Sequence, residues 1–165
     1  ASGRNPLRWL EYAFSASTMK VAIAILSGVT NPLLLLTLFG LTATTMFWGC
    51  AFEWDNDGRA PVKTSPGDVE ARGWGVVQLP VRWRCFLLGF VPHIFSWLPV
   101  LCYFFQAVAD SNPPAFVWAI IFIEFILDLS FAMNLYLQWT FYTQYVFGEI
   151  GFIVLSFTSK QLLAW

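Results

Sequence analysis

The residues able to do chemistry are few, and they lie where charge is costly. Glu11, Lys20, Glu124, Asp128, Glu149 and Lys160 all stand within long apolar stretches, and an ionisable group at membrane depth is a functional candidate by default. Lys160 falls about 11 residues into the last stretch, which at about 1.5 Å per residue sets it near a bilayer midplane. A lysine held there either pairs with a carboxylate or gives up its charge and becomes a nucleophile toward a carbonyl. From position alone the ion pair is the commoner outcome. Ser156 lies one turn earlier on the same face. On the first stretch Glu11, Ser15 and Met19 recur at the same spacing, placing a carboxylate, a hydroxyl and a thioether on one side of a helix. Such a stripe can supply a counter-charge, a hydrogen bond and a soft wall, although small residues and Met are also ordinary packing material. Glu124 and Asp128 oppose each other one turn apart, so at least one is expected to keep its proton. They read either as a polar helix–helix contact or, with Glu11 and Glu149, as a proton path. Lys20, about 13 Å along its helix from Glu11, is expected to snorkel to the outer surface.

The elements that must position these groups are apolar helices. Of 165 residues, 58% are hydrophobic, 19% aromatic and only 12% charged, about half the charge usual in a soluble domain; mean hydropathy is +0.62. A domain this small cannot hide so much apolar surface from water, so the expected solvent is a lipid bilayer. The net charge of −1 offers nothing to nucleic acid. Five stretches approach the roughly 20 apolar residues that a spanning helix needs: residues 6–28, 33–52, 83–107, 115–140 and 149–165. Pro32 suits the first turn of the second, and Pro92 and Pro99 are expected to kink the third. Residues 53–82 hold three prolines, several glycines and nearly half of the charges, the composition of a solvent loop.

Basic residues orient the spans. Arg4 and Arg8 precede the first, and Arg59, Lys63, Arg72, Arg82 and Arg84 lie in or beside the long loop, whereas the turns near Asn31 and Asp110 carry no Lys or Arg. The N-terminal side and loop 53–82 are therefore expected in the cytoplasm. Cys50, Cys85 and Cys102 lack metal or redox spacing and read as reduced, buried thiols. The lone His93 reads as a packing or interfacial residue.

Two long strings carry a specific resemblance. Arg8 to Met19 (RWLEYAFSASTM) resembles the third transmembrane helix of the heliorhodopsins, and Ser156 to Trp165 (SFTSKQLLAW) resembles their seventh, which bears the retinal lysine. Between them, Met133 to Trp139 and Gly148-Glu149 are similar to the end of helix six and the start of helix seven. The resemblance runs in order through the chain and implies an all-α integral membrane fold, five helices of a seven-helix rhodopsin-like bundle. Starting at Ala1 and stopping within an apolar run at Trp165, the chain reads as a fragment. The resemblance further implies all-trans retinal on Lys160 as a protonated Schiff base, Glu11 as its counterion, and Ser15 and Ser156 beside it. Tyr12 and Met19 lie within the same motif and join the candidate pocket. Met46, Trp97 and Phe125 are candidate walls for a polyene, with plain packing as their alternative. The expected function is light sensing without enzymatic activity, with a homodimer as the family's assembly and loop 53–82 as the surface for a cytoplasmic partner. Two other readings stay open: a light-gated proton channel or transporter using Glu11, Glu124 and Glu149, and a membrane scaffold or subunit that binds no retinal.

Overall fold

A computed structural model describes residues 5–57, 81–110, 113–140 and 145–164. Five helices make up these residues: α1 (Pro6–Leu26), α2 (Pro32–Asp55), α3 (Arg84–Asp110), α4 (Ala115–Thr140) and α5 (Tyr145–Ala164). Most of loop 53–82 lies outside the described residues. α1 packs along α2, α2 along α3 and α4 along α5, and α1 also reaches α4 across the bundle.

The helix ends follow from local sequence. α1 and α2 each begin with Asn–Pro. The Asn31 side chain accepts from the Leu33 and Leu34 amides at 2.9 and 3.3 Å, and Pro32 fills the first helical position, where no amide is needed. α1 stops at Gly28, whose φ of +96° only glycine adopts without strain. The Gly28 and Val29 amides then turn back onto the Ile25 and Ala24 carbonyls at 3.0 Å each, and Val29 buries against Ala24, the arrangement of a Schellman stop.

Three expected boundaries move. α2 continues through Asp55, so Glu53 is a buried helical residue and not part of the loop; it has an arginine partner that makes burial tolerable. α3 runs on to Asp110 and passes through Pro92 and Pro99 without breaking. α5 begins at Tyr145, a turn before Glu149, which puts Lys160 about one turn farther from the helix start than expected. Among the described residues, α2, α3 and α4 are long and apolar enough to cross a membrane. α1 is the most polar of the five, carrying Arg8, Glu11 and Lys20.

The bundle is layered. One apolar cluster joins Ile23, Ala24, Leu38, Trp97, Val100, Phe104 and Ile121. A second joins Trp9, Tyr12, Met46, Phe52, Leu135, Trp139 and Phe152. The outer surface is also apolar, with Leu10, Phe14, Leu36, Ile94, Ile126 and Ile153 exposed, while the buried face of α1 carries Arg8, Ser17 and Lys20. Polar groups turned inward and apolar ones outward suit a lipid solvent. Asn56 closes the base of the long loop: its amide donates to the Arg82 carbonyl at 3.0 Å and its carbonyl oxygen accepts from the Arg82 amide at 2.6 Å.

Small residues set the helix spacing. The Trp9 ring lies directly against Gly49, where a Cβ would overlap it, whereas Gly40 on the same helix has open space around it. Gly49→Leu is expected to destabilise the protein by about 1–3 kcal/mol through overpacking, and Gly40→Leu to leave it unchanged. Thermal unfolding in detergent followed by tryptophan fluorescence checks both.

Candidate functional site

Lys160 meets Glu11. The ammonium of α5 donates to the carboxylate of α1 at 2.5 Å, on an open seam where the two side chains are 39% and 48% exposed. Their elements explain the meeting. Glu11 follows Arg8 and Trp9 by less than one turn, and Trp9 is anchored between Tyr12 and Phe152 of α5 by edge-on ring contacts at 6.4 and 6.1 Å.

Behind the pair lies a cleft lined by Tyr12, Ser15, Met19, Met46, Trp97, Ser156 and Lys160 among others. These seven residues, proposed from four different helices, thus face one space. Phe125 does not line it; its ring stands edge-on behind Trp97 at 5.1 Å. Phe131 and Ser159 do line it and were not anticipated. A second, more apolar cleft is lined by Trp9, Gly49, Gly89, Phe90 and His93 among others, and shares Met46, Asp128 and Phe131 with the first.

Lys20 corrects the expectation of snorkelling. It is 3% exposed, donates to Asp128 at 2.9 Å and lies 3.3 Å from the centre of the Trp97 ring. The reason is angular. Nine residues separate Lys20 from Glu11, about half a turn of net rotation at 3.6 residues per turn, so the outward face of Glu11 makes Lys20 point inward. Asp128 also accepts from the Trp97 indole at 2.8 Å, and His93 Nδ1 stands 3.9 Å away. His93 therefore belongs to a polar cluster besides packing against Phe90. Glu124 and Asp128 do not share a partner: Glu124 accepts from Ser159 at 2.5 Å.

Glu149 lies apart from the cleft. Arg8 donates to both Glu149 and Glu53, and the Asn5 side-chain amide donates a hydrogen bond to Glu149 at 3.2 Å. This buried arginine ties α1, α2 and α5 together, and its guanidinium also rests 4.3 Å from the Phe152 ring centre. Reading Arg8 only as a topology marker missed it. The signal was present in Glu53 and Glu149, acids at helix ends on the same side of the chain's spans. Cys50 and Cys85 are half-buried free thiols, while Cys102 is exposed, contrary to the expectation for it.

A helical membrane bundle with a lysine–carboxylate pair at the mouth of an aromatic and thioether cleft has the features of a rhodopsin. A family model described as heliorhodopsin matches residues 1–165, and the chain belongs to that family. No curated protein matches it. Membership makes it an integral membrane protein of the rhodopsin photoreceptor class, a family of which retinal binding is a general property.

The inner ion pair makes a prediction about stability. Removing one partner of a buried pair costs about 3–5 kcal/mol, whereas replacing both with apolar groups is often neutral. Lys20→Met alone is expected to lower the unfolding temperature sharply, and Lys20→Met with Asp128→Leu to recover most of the loss. Equal losses in the single and double variants would show that the pair is not formed.

Proposed function

We propose that the chain is a light sensor in which all-trans retinal is held as a protonated Schiff base on Lys160, with Glu11 as counterion. The observation that carries this reading is the coincidence of the Lys160–Glu11 pair with the mouth of a cleft walled by Tyr12, Met19, Met46, Trp97 and Phe131. The cleft's aromatic and thioether lining fits a polyene, and the amine at its mouth fits an aldehyde.

Bound retinal supplies light absorption and isomerisation. The chain's own residues do the rest. The Lys160 amine fixes the position of the link, and α5 fixes the lysine. The Glu11 carboxylate holds the positive charge at that nitrogen, since an unpaired cation in an apolar site would shed its proton. Ser15 and Ser156 place hydroxyls on the cleft wall, and Trp97 is locked by Asp128, so one wall is rigid. A change in charge geometry at Glu11 bears directly on α1, which also carries Arg8 and Lys20; this is a local electrostatic switch with a route to helix packing.

The sensor reading is favoured over a proton channel because Glu149 is held by Arg8 and Asn5, away from the cleft that holds Glu124. The scaffold reading leaves the cleft without a purpose. We orient the N-terminal side and loop 53–82 toward the cytoplasm on the loop's basic residues, Arg8 being occupied by its carboxylates. That loop is then the surface a cytoplasmic partner would meet, and a homodimer remains the assembly that the family suggests.

Adding all-trans retinal to the membrane-embedded protein is expected to produce a visible absorption band, and Lys160→Ala to abolish it. Glu11→Gln is expected to move the band to the red, because a weaker counterion lets the positive charge spread along the polyene. An unshifted band would remove Glu11 from the role. Under voltage clamp the sensor is silent; a light-evoked current lost in Glu124→Gln would instead establish the channel.

A further inference from the structure

The cleft and its mouth hold more acid than base. Lys20 and Lys160 face Glu11, Asp128 and Glu124. Asp128 is taken by Lys20 and Trp97, and Glu11 by Lys160. Glu124 is the acid left over. It is 4% exposed; one oxygen accepts from Ser159 at 2.5 Å, and the other is buried with no hydrogen-bond partner among the described residues. Ser159 is the residue immediately before Lys160, and all three line the same cleft.

The other titratable groups around the cleft do not alter the count. Tyr12 is a neutral phenol. His93 faces Asp128, not Glu124, and a charged imidazole there would set two cations against one carboxylate. Lys20 also faces Glu124 but is already held by Asp128, and a carboxylate without a cation of its own is not tolerated at this depth, so Glu124 carries a proton while Glu11 is charged.

We infer that Glu124 is a reserve counterion to the cation on Lys160, sharing one proton with Glu11. This rests on Lys160 and Glu11 forming the charged pair of the proposed site. In the resting arrangement Glu11 is the carboxylate and Glu124 the acid. When the proton passes, the Glu124 O–H bond breaks, a Glu11 O–H bond forms, and the total charge of the cleft is unchanged. When Glu11 is replaced by a neutral residue, the Glu124 proton leaves to solvent and Glu124 alone balances Lys160. The open seam at Glu11 and the buried seat of Glu124 suit this division, since burial favours the neutral form of an acid.

The test uses the full chain in lipid nanodiscs with two readouts. In the infrared, without retinal and in the dark, wild type is expected to show a protonated-carboxyl stretch that Glu124→Gln removes. Glu11→Gln is expected to remove it as well, because Glu124 becomes a carboxylate. Survival of the stretch in either variant overturns the inference. With all-trans retinal, Glu11→Gln and Glu124→Gln are each expected to keep a visible band, and the double variant to lose it to the near ultraviolet. A double variant that keeps its visible band also overturns the inference. If the double variant does not fold, the infrared result on the single variants decides. If wild type gives no visible band, the retinal reading fails, and the infrared result still decides for the Lys160 ammonium.

Discussion

Charge pairing inside an apolar bundle is the constraint on which this structure depends. Hydrocarbon offers no water to solvate an ion, so each cation buried in the helices needs a carboxylate from another helix. Arg8 takes Glu53 and Glu149, Lys20 takes Asp128, and Lys160 takes Glu11. Every one of these pairs joins different helices, and together they connect α1 to α2, α4 and α5. α1 supplies one member of each pair. With Arg8 and Lys20 on its inward face and Glu11 on its open one, α1 organises the bundle, and the two aromatic and aliphatic clusters fill the space around it.

The two lysines of the cleft show how the same chemistry is put to different uses. Lys20 is enclosed by Asp128 and the Trp97 ring, with its charge fully committed. Lys160 has a single carboxylate and an open seam beside it. A committed cation stiffens the wall. A lightly held one is available for chemistry, and its counter-charge is easily perturbed. The position of Glu124, one hydrogen bond from the neighbour of Lys160, adds a second acid whose proton can move without changing the total charge.

Much of this was legible in the sequence. Long apolar runs mark spans because the bilayer fixes their length, and the spacing of Glu11, Ser15 and Met19, like that of Ser156 and Lys160, follows directly from the helical repeat. Pro32 at the start of α2 also read from local chemistry. What did not read were contacts set by rotation and depth between helices. Lys20 looked like a surface residue by its distance from Glu11, yet its rotation turned it inward onto Asp128. Glu53 looked like loop until Arg8 offered it a partner. Ser159 and Phe131 carried no periodic signal of their own, and Phe125, adjacent to the acid Glu124, sits behind Trp97 and not on the cleft.

The presence of two lysines in one cleft makes the attachment point the most direct test of the account. The protein is incubated with all-trans retinal, the imine is reduced with borohydride, and the peptides are mapped by mass spectrometry. The expected result is a retinyl group on Lys160 and none on Lys20. Retinyl on Lys20, or on no lysine of the helices, would contradict it.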